Sequence, residues 1–354
     1  MTKSNQKLKA KPKLRNIAIV GAGMAGIACA RTLVQAGHQV TVFEQSNELG
    51  GRMATRDSAF GTFDHGVQYF TARDPRFVKA LKIVPNLCRP WSASTVQVLD
   101  DHGRVVAAGL PNRDAHWVPT PGMNALVSTW AAPLARVERN AKVIHLDRDV
   151  LNGQHWQLRT EEPDGALHVL SGFDTVLLAI PAEPARLLLN TTPQADKLTQ
   201  QLDMVKMDPC WTLMLAFPQA MQPGLSSLGP QWNAARSTHH RVAWLARESS
   251  KPGRGGIERW TVQASAAWSQ EHLNDDTHRI EAKLRRAFSE ITGIRAEPAH
   301  VETKLWRAAE TTQPLGSSHL WDASTGLGVC GDWCLGSRVE NAFISGLELA
   351  LSVA

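Results

Sequence analysis

Six residues near the amino terminus limit this chain more than any others: Gly21-Ala22-Gly23-Met24-Ala25-Gly26, a GxGxxG turn. It follows the apolar stretch Asn16–Val20, which has the length of a buried strand. It opens a run of small residues, Ala25–Ala36, that reads as a helix stopped by Gly37. Gln39–Glu44 then alternates as a second strand and ends on an acid. That order is a dinucleotide-binding βαβ unit. Gly21 permits the tight turn, Gly23 lets a pyrophosphate approach the backbone, and Gly26 lets helix and strand pack closely. The amides of Met24 and Ala25 carry the positive end of the helix dipole towards the phosphates. Glu44 is placed to accept hydrogen bonds from ribose hydroxyls.

A second glycine pair, Gly50-Gly51, leads into Arg52-Met53. Alone this is a plain turn with a surface arginine. Beside the first unit it offers another close backbone approach, with a guanidinium able to neutralise a pyrophosphate bidentately. Joined in this way it resembles the extension found in the FAD-dependent amine oxidase superfamily, and points to FAD in preference to NAD. Towards the carboxyl end the buried strand Gly326–Cys330 leads into Gly331-Asp332-Trp333, and Arg338-Val339-Glu340-Asn341-Ala342 opens a closing helix. Asp332 alone suits a helix cap. In company with the amino-terminal unit it suits the ribityl chain of a flavin, with the helix dipole directed at the pyrimidine edge.

The resemblance sharpens over GGRMATR (Gly50–Arg56), FDHGVQYFTARDPRF (Phe63–Phe77), PGMNALV (Pro121–Val127), KMDPCW (Lys206–Trp211) and CGDWCLGSRVENAFISG (Cys330–Gly346). These segments span nearly the whole chain, which resembles the bacterial renalases, a branch of the amine-oxidase-like flavoproteins. The resemblance implies a two-domain, monoamine-oxidase-like fold with non-covalent FAD. It implies oxidation of 2- or 6-dihydro isomers of NAD(P) to NAD(P)+ by hydride transfer, with O2 reduced to hydrogen peroxide. It places Gln68 and Tyr69 beside the isoalloxazine, and adds Gln45 and Val143 to the cofactor contacts. Lys304 and Trp306 are the further catalytic candidates. Lys304 departs from the renalase pattern, where a His-Arg-Trp sequence is expected. A lysine near the flavin is an amine-oxidase feature, although a strand-surface lysine explains it as well.

The fold class expected is α/β, a Rossmann-like FAD-binding domain with an inserted α+β substrate domain. The FAD-binding part takes in residues 16–75, 122–190 and 322–354, and the substrate part 76–121 and 191–321. Thr212–Phe217, Arg241–Ala246, Arg259–Ala264 and Ala299–Trp306 read as strands of an antiparallel sheet. His272–Ile291 carries a helical period, and Gln222–Gly229 and Ser249–Gly256 read as loops. Residues 1–15 hold much of the net charge of +5 and read as a disordered basic tail. The rest is near neutral, which argues against a nucleic-acid partner. No apolar run approaches the roughly 20 residues of a membrane span, and no secretory leader is evident. The five scattered cysteines suit a reducing cytoplasm and show no zinc spacing, so no metal is expected.

Hydride transfer from a dihydropyridine needs stacking and dryness, not a strong base. Trp211, Trp244, Trp306 and Trp333 are possible pocket walls as well as core residues, and His65 reads as structural as readily as catalytic. Arg241, Arg247 and His240 are available to substrate phosphates. Oxidation of an amine is the rival reaction. With Tyr69 the chain's one tyrosine, a facing tyrosine pair is excluded, though a tryptophan can substitute. A flavin-binding protein without turnover is the third reading.

Overall fold

Ile17, Ala18 and Ile19 are fully buried because their strand, Asn16–Val20, has parallel neighbours on both sides and cover on both faces. Such strands require nearly continuous apolar runs. The computed structural model describes residues 14–92, 96–108, 114–221, 230 and 232–354. Most of the basic tail and the expected loop Gln222–Gly229 lie outside the described residues. Arg15, the last cation of the tail, donates to the Val353 carbonyl at 2.8 Å.

The central sheet has the order Leu320–Asp322, Leu327–Val329, Thr175–Leu178, Asn16–Val20, Gln39–Phe43, Val137–Glu138. It is parallel except for its first strand. One face is covered by helix Met24–Gln35 and the carboxy-terminal helix Val339–Val353, which pack on each other. The other face carries helix Ala182–Leu189 and a three-stranded meander, Lys142–Arg148, Trp156–Glu161 and Leu167–Phe173. The sequence pattern does not announce this meander, because its outer strand alternates exposed Leu167 and Val169 with polar residues.

A seven-stranded sheet forms the second layer system, in the order His300–Gln313, Lys206–Phe217, Glu258–Ala264, Val242–Arg247, Ala234–Ser237, Gln97–Leu99, Val105–Ala108. Its rear face packs on helix Thr277–Thr292 through Leu213, Val262, Leu245, Ile280 and Leu284. Its long strands outrun the expected ones. Thr212–Phe217 begins at Lys206 and passes through Pro209, where a break in register accommodates a residue that cannot donate to the ladder. The expected helix His272–Ile291 starts instead at Thr277, where the Asp276 carboxylate accepts from the His278 and Arg279 amides. Among the described residues, no helix is long and apolar enough to cross a membrane.

The expected α/β class is therefore observed, and the first turn is one of its tight points. A Cβ on residue 26 would sit 2.0 Å from the Gly21 carbonyl oxygen and 3.2 Å from Ala179 Cβ. Gly26→Ala is expected to lower the unfolding free energy by about 2 kcal/mol. Urea denaturation checks this; an unchanged midpoint would contradict the packing described.

Candidate active site

The site begins where the first strand ends. The Gly21 amide donates to the Phe43 carbonyl at 2.7 Å, and the Ala22 amide to Glu44 Oε2 at 2.9 Å. Glu44 Oε1 accepts from the Ser46 amide at 3.0 Å and from its hydroxyl at 2.9 Å. The buried carboxylate thus has three of its roughly four acceptor positions filled by the chain itself. One is left for a ribose hydroxyl, fewer than the motif alone suggests. Gln45 is exposed beside it, and Val143 packs into the cluster that contains Phe43.

Gly23 and Gly51 face outward from otherwise buried turns. A Cβ on residue 23 would find nothing nearer than the Gly50 carbonyl oxygen at 3.8 Å. Protein packing does not require glycine there, whereas a phosphate resting on the backbone does. Helix Met24–Gln35 starts with no side-chain cap, so its first amides are free of one, and the same holds for Val339–Val353 after Arg338. Both helix starts thus carry a positive dipole end without a capping side chain. These features fit the diphosphate and isoalloxazine edge of FAD. Arg338 is exposed, Val339 buried and Ala342 half-buried at the second start.

Arg52 and Asp332, expected to serve pyrophosphate and ribityl chain, are bound to each other. The guanidinium grips the carboxylate with both terminal nitrogens, at 2.9 and 2.5 Å. This joins the glycine pair to the turn after Gly331, whose amide donates to Ser345 Oγ at 2.9 Å. Met53 is buried behind it. The Arg52 carbonyl accepts from Val67 at 2.9 Å, bringing the segment Asp64–Tyr69 alongside.

That segment holds what the motifs do not reveal. Asp64, Glu248, Lys251 and Arg254 form a buried cluster of two anions and two cations. Lys251 Nζ lies 3.0 Å from Asp64 Oδ2, 2.8 Å from Glu248 Oε1 and 3.1 Å from Gln68 Oε1. Arg254 contacts Asp64 closely and Glu248 at 3.1 Å. Asp64 Oδ1 accepts from Thr55 Oγ1 and the Met123 amide, each at 2.9 Å, and Glu248 Oε1 from Thr261 Oγ1 at 2.9 Å. Burial pushes the Asp64 carboxyl up, but the Lys251 and Arg254 charges outweigh it and hold the group well below its ordinary range. Ser249–Gly256 has the composition of a surface loop, yet it delivers Lys251 and Arg254 to the interior. Gln68 is consequently spent within the cluster, its amide donating to the Asp64 and Gly66 carbonyls.

The remaining predicted residues gather as two aromatic stacks. His65 and Trp306 stack with centroids 5.2 Å apart, and the indole donates to the His65 carbonyl at 2.9 Å. Lys304 Nζ stands 5.9 Å from the Trp306 ring. Burial, with the Arg56 and Lys304 charges adding to it, brings the His65 imidazole down to about 4, so it is neutral at pH 7. Tyr69 stacks on His116 at 3.9 Å and lies 5.8 Å from Trp244 and 6.4 Å from Trp91. Trp211 and Trp333 belong elsewhere: Trp211 packs behind the sheet, and Trp333 donates to the Ile180 carbonyl from the core. Arg247 lies over Trp260, 5.1 Å from its ring. All five cysteines are free, and burial pushes the thiols of Cys88, Cys210 and Cys334 up to about 12, far from nucleophilic use.

A Rossmann-type sheet and two helix starts without side-chain caps fit an FAD-dependent oxidoreductase. Residues 19–82 match the NAD(P)-binding Rossmann-like domain and residues 107–353 match the flavin containing amine oxidoreductases. The chain belongs to the flavin containing amine oxidoreductase family. Over 50 residues it is 50% identical to a 4,4'-diapophytoene desaturase of Staphylococcus haemolyticus, a match of 14% of this chain and 10% of that enzyme. The Staphylococcus aureus desaturase is 46% identical over a stretch of the same length. Two solved structures share the fold. One is an Exiguobacterium protein with a provisional protoporphyrinogen oxidase assignment (TM-score 0.71, 12% identity, 96% of this chain and 99% of that one). The other is cyclohexylamine oxidase from Brevibacterium oxydans (TM-score 0.70, 11% identity, 96% and 99%).

Because a methyl group at residue 23 has room in the protein but not beneath a phosphate, Gly23→Ala should weaken FAD binding about 10-fold or more. It should change apoprotein stability by less than about 0.5 kcal/mol. Flavin fluorescence titration and urea unfolding of the apoprotein measure the two; unaltered FAD affinity would contradict the assigned cradle.

Proposed function

We propose that this protein is an FAD-dependent oxidase of the renalase type, which oxidises 2- or 6-dihydro isomers of NAD(P) to NAD(P)+. The observation that carries the reading is the neutral His65–Trp306 stack with Lys304 beside it. Lys304 has no ion-pair partner among the described residues, while Arg56 is paired with Glu302 at 3.0 Å. The Arg56 and Lys304 charges, which add to burial in disfavouring an imidazolium there, also disfavour a cationic ligand and favour an anionic dinucleotide. FAD, when bound, accepts a hydride's two electrons and passes them to O2. The net reaction converts a dihydropyridine, O2 and one proton into a pyridinium and H2O2.

The chain's own part is binding and orientation. Gly23, Gly51 and the two helix starts would hold the FAD diphosphate and ring edge without a covalent link, and Arg52 with Asp332 fixes the turn beside them. Trp306 and Tyr69 present flat surfaces against which a pyridine ring stacks, and their bulk excludes water. No side chain has to remove a proton, which suits a site whose one histidine of this stack is held neutral. The free thiols suit a cytoplasmic location.

Oxidation of an amine is the second reading, with equal family support. Tyr69 and Trp244, 5.8 Å apart, supply an aromatic frame without a second tyrosine. The two readings part in an anaerobic experiment. The FAD-loaded protein is mixed with 6-dihydroNAD or with a panel of amines, and flavin absorbance is followed. Bleaching by 6-dihydroNAD alone is expected. Bleaching by amines alone would contradict the renalase reading, and bleaching by neither would leave a flavin-binding protein without this turnover.

A further inference from the structure

Strand pairing in the seven-stranded sheet sets Lys304, Thr212, Gln263, Trp244 and Arg236 in one transverse row, each opposite the next. Directly opposed residues of antiparallel strands share a face. The face is identified by Gln263, whose amide reaches the Gly66 carbonyl at 2.7 Å, and by Trp244 against Tyr69. It is the side that looks onto the cofactor loop. The alternate residues Leu213, Val262, Leu245 and Ala235 enter the core behind.

We propose, resting on the dihydronicotinamide reading, that Arg236 binds a phosphate of the substrate and sets the preference for a phosphorylated dihydropyridine. Arg236 is exposed, and its side chain has no hydrogen-bond or ion-pair partner among the described residues. Four other arginines around the site are engaged. Arg52 holds Asp332, Arg254 lies in the buried cluster, and Arg259 donates to the carbonyls of Phe60, Thr62, Ile257 and Arg254. Arg247 donates to the Pro230 carbonyl and covers Trp260.

Position supports the same role. Adjacent strands lie about 4.8 Å apart, which puts Arg236 roughly 10 Å from Gln263 and roughly 19 Å from Lys304 along the row. The shorter span suits a pyridine ring and a phosphate joined through one ribose, with Trp244 beneath the sugar. A guanidinium meets phosphate with two parallel N–H groups, a geometry that an ammonium lacks. Lys304 stands at the opposite end of the row, beside Trp306 and beyond the reach of that unit.

The test compares 6-dihydroNAD with 6-dihydronicotinamide riboside, which has no phosphate, as substrates of the FAD-loaded protein. Arg236→Gln should raise KM for the dinucleotide about 10-fold or more, with kcat held within about twofold. KM for the riboside should move less than about twofold, and the salt dependence of the dinucleotide KM should flatten. Arg236→Lys should recover part of the loss. Equal effects on both substrates, or none on either, with an active wild type would overturn the role of Arg236 alone. A wild type inert towards both would overturn the substrate reading and this role with it.

Discussion

The buried contact among Asp64, Lys251, Glu248 and Arg254 is the interaction on which the rest of the site depends. Burying four charges is costly, and their mutual attraction offsets that cost only if every partner is present in good geometry. Here the partners come from opposite parts of the chain. Asp64 lies on the segment that runs beside the Gly50–Arg52 turn, while the other three lie on the turn and loop that link two strands of the large sheet. Their union fixes where Gly66, Gln68 and Tyr69 lie relative to the sheet. Thr55, Met123 and Thr261 complete the acceptor positions, so the cluster ties four stretches of chain at one point.

From that point the functional surfaces follow. The Arg52 carbonyl and Gln263 hold the loop from two sides, and Gly66 passes between them. On one side lie the glycine turns and helix starts, whose amides are the proposed contacts of the FAD diphosphate. On the other lie Trp306, Lys304, Thr212 and Trp244, a face of aromatic, polar and cationic groups. This division underlies the proposed reading of a cleft for a flat, negatively charged substrate. The one histidine in the Trp306 stack is kept neutral by the same burial and charges that shape the cleft.

The dinucleotide unit was legible in the sequence because each of its demands is local. Gly21, Gly26 and the strand they follow answer to contacts within a few residues or one neighbouring strand. The carboxy-terminal turn at Asp332 was legible too, though not its pairing with Arg52, which spans most of the chain. The charge cluster was hidden for a physical reason. Lys251 and Arg254 lie in a Ser/Gly/Pro-rich stretch whose composition says surface, and burial there depends wholly on partners distant in sequence. The one local signal was Asp64 itself, a charge between Phe63 and the aromatic run that follows. For Gln68, named for the flavin, the sequence does not show that its amide is hydrogen-bonded within the cluster. Trp211 and Trp244 could not be told apart by type; strand parity alone puts one behind the sheet and the other in front.

The charge cluster acts as a single coupled unit that seats the Asp64–Tyr69 segment on the sheet. A double-mutant cycle with Asp64→Asn and Lys251→Met, read by urea unfolding of the FAD-loaded protein, tests it most directly. Each single change should cost about 3–5 kcal/mol, since it leaves charged partners buried and unmatched. The double change should cost less than the sum by at least about 2 kcal/mol. Additivity within about 0.5 kcal/mol would contradict the account.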